Sequence, residues 1–425
     1  CLAKPLVYCV CVVLLKAIFY LLKGADHMSL NETPSANRVH IGIFGRRNAG
    51  KSSVMNALTN QNIAIVSNVL GTTTDPVVKA MELLPIGPVV MIDTPGIDDD
   101  GELGALRVKK SYQMLNKTDI AVVVLDGESE SPEDTALIDK IRQKNIPLVI
   151  FHNKTDVLFN FPQKEGHFYG SALNREGIDT LKAEIARLAQ IPEPDKKIVG
   201  DLLDPLDIAV LVTPIDAAAP KGRLILPQQQ TIRDILEAGG ISVAVRETEL
   251  ADTLTKLAVK PKIVITDSQA FGKVSNVVPG DILLTSFSIL FARYKGNLEA
   301  AVRGAKVLDS LKDGDKILIS EGCTHHRQCG DIGTVKLPAW VRRHTGKDIE
   351  FVFTSGTEFP DDLSGYALAI HCGGCMLNER EMKYRYAYAG EQGLPITNYG
   401  IAIAHMHGIL KRSVEPFKDI REILK

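Results

Sequence analysis

The sequence predicts an α/β protein with mainly parallel sheets, arranged as three successive domains. The 425 residues exceed the length of one ordinary domain. Short apolar runs, typical of buried parallel strands, alternate with helix-like segments along the chain. A glycine-rich loop joins the first predicted strand to the first predicted helix, as in open α/β folds. The composition, 45% hydrophobic and 24% charged, is that of a globular protein.

The first residues differ from the rest of the chain. An apolar run over residues 6–22 contains Lys16, and the sequence opens with Cys1 rather than Met. The run is shorter than the roughly 20 apolar residues of a membrane-spanning helix. Gly-Ala-Asp-His then precedes Met28, which is typical of a cloning junction. We interpret residues 1–27 as a vector-derived or tag segment; a genuine membrane anchor is the alternative.

Charge and cysteine usage indicate the compartment and the class of partner. A net charge of −2 lacks the basic excess of a protein that binds nucleic acid. The cysteines that follow residue 27 all lie in the C-terminal quarter, whereas a disulfide scaffold would spread them through a small secreted chain. They are Cys323, Cys329, Cys372 and Cys375. We therefore expect a cytoplasmic protein with a metal site, and neither nucleic acid nor membrane as a partner.

Residues 34–192 carry the first set of motifs. The strand-like run Val39–Phe44 leads into GRRNAGKS at residues 45–52, and a helical stretch follows. In this context the loop directs backbone N–H groups at phosphate oxygens, and the helix N-terminus adds its dipole. Lys51 would reach the β- and γ-phosphates, and the Ser52 hydroxyl would bind magnesium. The predicted phosphate-binding residues are Gly45, Asn48, Ala49, Gly50, Lys51, Ser52 and Ser53.

A second motif places a carboxylate beside the phosphates. The buried-strand pattern of residues 89–92 ends in Asp93-Thr94-Pro95-Gly96. Asp93 would hold magnesium through water, and the Gly96 N–H would sense the γ-phosphate.

A third motif selects the base. Apolar runs over residues 120–125 and 147–151 predict two more parallel strands, and the second leads to the sequence NKTD at residues 153–156. A carboxylate there can accept hydrogen bonds from N1–H and N2–H₂ of guanine, a donor pair that adenine lacks. The turn at residues 171–173 could offer a backbone N–H to guanine O6. The predicted base-binding residues are Asn153, Lys154, Asp156, Ser171 and Ala172. Together the motifs predict a P-loop GTPase domain that binds GTP and GDP.

The sequence GTTTD at residues 71–75 occupies the expected position of a switch loop. With Asn48 and the motifs above, residues 38–192 resemble the TrmE-Era branch of the GTPases. The resemblance implies that Thr73 completes the magnesium shell and that Asn48 binds a potassium ion, which stabilises the transition state. Lys51, Thr73, Gly96 and Asn48 are thus the predicted catalytic residues. Ile97 stands in place of the water-orienting Gln of other GTPases, so we expect slow, potassium-stimulated hydrolysis.

A new α/β pattern follows a charged, proline-containing linker at residues 193–200. Residues 201–278 contain strand-like runs at 208–213, 241–245 and 262–266. They lack a phosphate loop and convergent titratable residues, so we predict a binding or dimerising role.

The C-terminal part, residues 279–425, carries a second chemical signal. Two strand-like runs lead to a C-x-H motif at residues 323–325 and to an H-C-x-x-C motif at residues 371–375. Both motifs would lie at the carboxyl edge of one parallel sheet, where open α/β folds bind ligands. The candidate ligands are Cys323, His325, His371, Cys372 and Cys375. Spacing alone leaves a tetrahedral zinc site, a 4Fe-4S cluster and a C-x-x-C redox pair open.

A TrmE-Era-like domain followed by these two motifs resembles the HydF family of FeFe-hydrogenase maturation GTPases over residues 30–425. The resemblance implies a homodimer with a 4Fe-4S cluster on Cys323, Cys372 and Cys375. It also implies a scaffold that carries a diiron precursor, built by two radical-SAM maturases, to apo FeFe-hydrogenase. His371 or His325 would be an exchangeable fourth ligand, or would orient a cysteine loop through a hydrogen bond.

Two other functions remain open from the sequence. An RNA-associated GTPase is common in the TrmE-Era branch, but it predicts a basic C-terminal domain, whereas acidic and basic residues are balanced here. A GTP-dependent zinc chaperone would use the same sulfur ligands.

Overall fold

The computed structural model describes residues 33–60, 76–98, 101–126, 130–157, 164–190, 196–215, 224–322, 331–356 and 358–424. Ser35–Lys425 form one compact unit with three successive sheets in its described part. Within these sheets one strand pair is antiparallel and the other pairs are parallel. The predicted α/β class with mainly parallel sheets is therefore confirmed.

The first sheet has the strand order β2-β3-β1-β4-β5-β6. Its strands are β1 Val39–Phe44, β2 Val77–Leu83, β3 Gly87–Asp93, β4 Ile120–Leu125, β5 Leu148–His152 and β6 His167–Tyr169. Its helices are α1 Lys51–Thr59, α2 Gly101–Met114, α3 Pro132–Gln143 and α4 Ile178–Ala189. Helices α1 and α4 pack on one face, and α2 and α3 on the other. The central strands are therefore buried on both faces, which explains their continuous apolar runs.

Parallel pairing brings three loops to one edge of this sheet. β1 pairs with β3 and with β4, and β4 pairs with β5, all in parallel. The loop after β1, the segment after β3 and the segment after β5 consequently leave the sheet at the same edge.

The second sheet is wholly parallel, with the order β10-β9-β7-β8. Its strands are β7 Ile208–Val212, β8 Ile241–Val245, β9 Ile263–Thr266 and β10 Leu283–Ser286, and its helices are α5 Leu226–Glu237, α6 Leu250–Lys256, α7 Phe271–Val277 and α8 Phe287–Lys295. The predicted domain boundary between residues 278 and 279 falls inside this sheet. Ile282 N–H donates to Pro279 O at 3.2 Å in a tight turn that leads into β10, so the second sheet continues beyond this boundary.

The third sheet is also wholly parallel, with the order β12-β11-β13-β14. Its strands are β11 Lys316–Glu321, β12 Glu350–Ser355, β13 Leu368–His371 and β14 Ile396–Asn398. The helices of this part are α9 Leu298–Ala305, α10 Leu337–Thr345, α11 Glu379–Glu391, α12 Tyr399–Met406, α13 Leu410–Ser413 and α14 Lys418–Arg421. One hydrophobic core includes Val210 of the second sheet and Leu318 of the third, so the two sheets share a core.

Within the described part of the chain, no helix has both the length and the apolarity required to cross a membrane. The apolar run at residues 6–22 lies outside the described residues.

Candidate functional site

The loop after β1 wraps around the N-terminus of α1. Gly50 has a φ of 92°, and a Cβ there would lie 2.2 Å from Asn153 Nδ2, so this position requires glycine. Lys51 is buried, and its Nζ donates to the carbonyl oxygens of Gly45 and Arg46 at 3.1 and 2.7 Å. A buried lysine inside a loop at a helix N-terminus is an arrangement suited to phosphate.

Ser52 and Asp93 form a polar pair beside this loop. Ser52 Oγ donates to Asp93 Oδ2 at 2.6 Å, while the buried Asp93 Oδ1 has no hydrogen-bond partner among the described residues. Burial raises the pKa of Asp93 above its ordinary value, although the Ser52 hydrogen bond and the charge of Lys51 oppose the shift. A bound cation would compensate this buried carboxylate, so the pair fits magnesium.

Gly96 lies against the phosphate loop. A Cβ at Gly96 would be 2.9 Å from Arg47 N. Ser111 of α2 donates to Pro95 O at 3.0 Å. Helix α2 is therefore tied to the segment that contains the predicted γ-phosphate sensor.

The other catalytic candidates occupy different environments. Asn48 is exposed on the phosphate loop, with a left-handed φ of 61°. Ile97 is buried in the core on the α2–α3 face of the sheet, and its hydrocarbon side chain has no polar atom that could orient water. Thr73 lies outside the described residues.

Two side chains, Asn153 and Asp156, shape the predicted guanine-binding site. Asn153 Nδ2 donates to Ala49 O at 2.9 Å, which joins the base-binding loop to the phosphate loop. Asp156 Oδ1 is buried and has no hydrogen-bond partner among the residues the structure describes. An unpaired carboxylate oxygen at this position fits the two donors of guanine.

The predicted N–H donors to guanine O6 are bonded elsewhere in this structure. Ser171 N–H donates to Glu176 O at 3.0 Å, and Ala172 N–H donates to Asn153 Oδ1 at 2.9 Å. The motif did not reveal this because the acceptor Asn153 comes from a different loop.

A group of ion pairs links the same loops. Arg46 donates to Asp134 Oδ2 at 3.0 Å and to Asp126 Oδ1 at 2.9 Å. Lys154 Nζ lies 3.3 Å from Asp126 Oδ2. Asp126 thus connects the phosphate loop with the base-binding loop, a role that no sequence motif indicates.

The cysteine motifs follow neighbouring strands of the third sheet. β11 and β13 pair in parallel, with Ser320 opposite His371. Cys323 and His325 lie outside the described residues. The Cys372 and Cys375 thiols are both free.

Backbone groups surround the Cys372 sulfur. Gly322 N–H and Gly374 N–H lie 3.0 and 3.4 Å from Cys372 Sγ. Desolvation raises the pKa of Cys372 to about 11, although these two donors favour the thiolate. Gly374 has a φ of 63°, and a Cβ there would lie 2.4 Å from Met382 Sδ, so the loop requires glycine at this position.

A buried cation lies beside the second thiol. Lys295, the last residue of α8, donates to Leu377 O at 3.2 Å. Burial lowers the pKa of Lys295 to about 8, although the negative charges of Cys375 and Glu379 oppose the shift. Burial also raises the pKa of Cys375, an effect that Lys295 opposes. Helix α8, which follows the last strand of the second sheet, therefore contributes a positive charge to the cysteine site. The cysteine spacing did not predict this charge.

His371 is engaged at both ring nitrogens. Nδ1 donates to Cys372 O at 2.7 Å, and Nε2 accepts from Arg385 Nη1 at 2.9 Å. The side chain is fully buried, and burial together with Arg385 lowers its pKa to about 3. Neither nitrogen is left for a metal. The structure therefore disagrees with His371 as a ligand and favours the alternative, orientation of the cysteine loop.

Arg385 connects the ends of both cysteine-bearing strands. Besides His371, its guanidinium donates to Ser320 Oγ at 3.1 Å and to Gly356 O at 2.8 Å. Glu381 Oε1 accepts from Arg385 Nε at 2.9 Å, and both side chains are buried. From the sequence, Glu381 and Arg385 look like an ordinary surface pair four residues apart on a helix.

The sheet order and the phosphate-loop geometry together define a P-loop GTPase. Residues 40–154 match the family model of the 50S ribosome-binding GTPase. Residues 198–296 match the hydrogen maturase F dimerization domain, and residues 299–416 match the hydrogen maturase F tetramerization domain. The two maturase matches together cover just over half of the chain, which therefore belongs to the HydF family of hydrogenase maturation GTPases. The GTPase domain implies GTP or GDP with magnesium as ligands, and the other two domains imply oligomerisation.

Similar curated proteins align with the first domain. The tRNA modification GTPase MnmE of Janthinobacterium sp. (strain Marseille) is 31% identical over 160 residues, which cover 35% of this chain and 34% of that protein. MnmE of Ruthia magnifica subsp. Calyptogena magnifica is 29% identical over 167 residues, covering 38% and 37%. The chain thus spans about a third of the length of these curated relatives.

Two solved structures also align with part of this chain. A point variant of Aquifex aeolicus Era bound to GDP.AlF4- is 17% identical, with a TM-score of 0.33, over 52% of this chain and 98% of that one. The G domain of T. maritima FeoB is 21% identical, with a TM-score of 0.29, over 36% and 100%.

Proposed function

We propose that the chain is a GTP-hydrolysing scaffold that holds a 4Fe-4S cluster and delivers a diiron precursor to apo FeFe-hydrogenase. The observation that carries the proposal is a continuous series of contacts from the Asp93–Gly96 segment to the Cys372 loop. Through this series, the state of the nucleotide would act on the cysteine site.

The first part of the series lies at the contact between the GTPase domain and α11. Helix α2, bonded to Pro95 through Ser111, continues into a 3₁₀ turn, Leu115–Lys117. Asn378 Nδ2 donates to Lys117 O at 2.8 Å. Burial lowers the pKa of Lys117, and the nearby Glu381 carboxylate opposes the shift. Movement of α2 would therefore displace the start of α11.

The second part runs along α11. Asn378 caps this helix by accepting from Glu381 N–H at 3.1 Å. One turn later Glu381 bonds Arg385, which bonds His371 and Ser320 at the two strand ends. A shift of the capped end would change the support of Cys372 and of the strand that leads to Cys323.

In the nucleotide half, the proposed roles follow the contacts described above. Lys51 would neutralise the β- and γ-phosphates, and Ser52 and Asp93 would hold magnesium with Thr73. Asp156 would select guanine, and Gly96 would sense the γ-phosphate. Asn48 would bind a potassium ion that adds positive charge to the transition state. Since Ile97 cannot orient water, hydrolysis would be slow without this ion.

In the C-terminal half, Cys372, Cys375 and Cys323 would supply three thiolates to the cluster. N–H donors on sulfur and a buried ammonium are features that stabilise an anionic thiolate-bound centre, so the described residues fit one. When bound, the cluster would offer iron as an attachment point for the precursor. His371 and Arg385 would fix the cysteine loop, and a group other than His371 would complete the site.

The proposed partners follow from the family. Apo FeFe-hydrogenase would receive the diiron precursor, and two radical-SAM maturases would build it. The second domain would form a homodimer, and the third would permit a larger assembly. GTP binding would alter the surface offered to a partner, and hydrolysis would release it.

Anaerobic reconstitution with iron and sulfide tests the cluster. The reduced full chain should give the electron paramagnetic resonance signal of a 4Fe-4S cluster. Cys372→Ala should lose that signal and its acid-labile sulfide, while GTP turnover stays within about two-fold of the unsubstituted chain. Bound zinc without sulfide would instead identify a zinc chaperone.

Partner dissociation tests the gating. The loaded scaffold should leave apo FeFe-hydrogenase at different rates with GDP and with a non-hydrolysable GTP analogue. Equal rates with both nucleotides would exclude GTP gating while leaving the cluster assignment intact.

A further inference from the structure

Three side chains distant in the sequence converge on the surface of the third domain. Asp309 lies in a 3₁₀ turn, Lys306–Ser310, while His344 and His405 belong to α10 and α12. His344 Nε2 is 3.0 Å from Asp309 Oδ1, and His405 Nε2 is 3.0 Å from Asp309 Oδ2. Their possible ligand atoms all lie within 4.8 Å of one another.

We propose that Asp309, His344 and His405 bind a divalent transition-metal ion of the zinc type. This site is separate from the cysteine motifs and does not depend on the function proposed above. Imidazole nitrogens and carboxylate oxygens are common ligands of zinc and cobalt in proteins.

The distances suit a common ion. Two ligand atoms 3.0 Å apart, each about 2.1 Å from one metal, subtend an angle of roughly 90° at it. The two imidazoles approach different oxygens of one carboxylate, with their ring planes 67° apart. A metal would replace the hydrogens that both Nε2 atoms now direct at Asp309, and each neutral ring would carry its hydrogen on Nδ1 instead.

The surrounding backbone also favours a cation. His344 is in the last turn of α10, and His405 is in the last turn of α12. The carboxyl end of a helix carries partial negative charge, so two helix ends and one carboxylate act together on the same place.

The exposure of the cluster leaves room for water. The side chains of Asp309, His344 and His405 are 58%, 25% and 16% exposed. Three protein ligands with solvent on one side leave positions open for water or for an exchanging ligand. The ion would also cross-link the 3₁₀ turn, α10 and α12.

Cobalt(II) titration of the metal-free full chain tests the site, followed by optical absorption. Cobalt held by nitrogen and oxygen gives visible d–d bands without the near-ultraviolet charge-transfer band of cobalt thiolates, so sites on cysteines are distinguished. We expect one equivalent of cobalt to bind with the spectrum of nitrogen and oxygen ligands. His344→Ala should weaken its binding by at least about 10-fold, and Asp309→Asn, which preserves shape, should do the same.

His407→Ala is the matched control, because His407 is an exposed histidine two residues from His405 and outside the cluster. It should bind cobalt within about two-fold of the unsubstituted chain. Absence of a thiolate-free cobalt equivalent would overturn the proposal and leave the three residues as an ion-pair cluster. Equal binding by His344→Ala, Asp309→Asn and His407→Ala would overturn it as well.

Discussion

The phosphate loop and the cysteine loop both lie at the carboxyl edge of a sheet, among parallel strands. They differ in whether the buried polar atoms beside them have hydrogen-bond partners in the protein. Near the phosphate loop, Asp93 Oδ1 and Asp156 Oδ1 are buried with no hydrogen-bond partner among the described residues. At the cysteine loop, both ring nitrogens of His371 and the guanidinium of Arg385 form hydrogen bonds with other protein groups. The first site thus needs a ligand to satisfy its polar atoms, whereas the second is held in shape by the protein. Substitutions should therefore affect function alone at the first site, and function together with stability at the second.

The largest expected effect is at the phosphate loop. Lys51→Ala removes the positive charge from the loop and should reduce GTP turnover by about 10³-fold or more. Iron and sulfide content after reconstitution should stay unchanged, because Lys51 lies in the phosphate loop of the first sheet, whereas the cysteine motifs follow strands of the third sheet. Phosphate release and cluster content would be measured on the same sample.

Lys79→Ala is the control for charge removal, since Lys79 is exposed on β2. It should turn over GTP at the unsubstituted rate. If Lys51→Ala lost its cluster along with its turnover, the two sites would not be separable as described.

The fold and the positions of the nucleotide motifs within it could largely be predicted because each nucleotide motif is a contiguous stretch at a strand end. Lys51, Asp93 and Asn153 are in place because the chain that carries them is itself the strand and loop. His371 and Cys372 lie at the end of β13 for the same reason, because their motif directly continues the predicted strand. Sequence reasoning therefore succeeds where the structure needed is only a few residues long.

The supporting residues could not be predicted because they come from other elements and carry no motif. Arg385 lies on a helix 14 residues beyond His371 and looks like a surface arginine until its burial is known. Lys295 lies at the end of helix α8, which directly follows β10 of the second sheet, and β10 itself follows a Pro-Gly turn. Tertiary packing decides each of these cases.

Arg385→Met tests the claim that the cysteine loop is held by the protein. The change leaves Glu381 as a buried carboxylate without its partner, which should cost about 3–5 kcal/mol of unfolding free energy. Denaturant unfolding of the full chain would measure the loss, and cluster content should fall with it.

The matched control is Arg303→Met, because Arg303 and Glu299 have the same four-residue spacing on α9 but are 63% and 54% exposed. The pair formed by Arg385 and Glu381 is only 0% and 6% exposed. Loss of the exposed pair should cost less than about 1 kcal/mol. Similar losses in the two variants would contradict a special role for Arg385.

Exchange of potassium for sodium gives a smaller effect at the phosphate loop. If Asn48 binds the activating ion, sodium should lower the GTPase rate several-fold, about 1 kcal/mol in barrier height. Asn48→Ala should be slow in both salts, whereas Lys79→Ala should retain the difference. Equal rates of the unsubstituted chain in both salts would exclude the role of Asn48.

A comparison of two N-cap variants separates helix capping from communication between the two sites. Asn378→Ala and Asn297→Ala each remove an N-cap, at a cost of about 1 kcal/mol. Only Asn378 also donates to Lys117 of the GTPase domain, at 2.8 Å. Both variants should hydrolyse GTP normally, but Asn378→Ala alone should lose the difference between GDP and a GTP analogue in the rate of leaving apo FeFe-hydrogenase. If both variants kept the difference between the two nucleotides, Asn378 would contribute only a helix cap. Communication between the two sites would then have to pass through other residues.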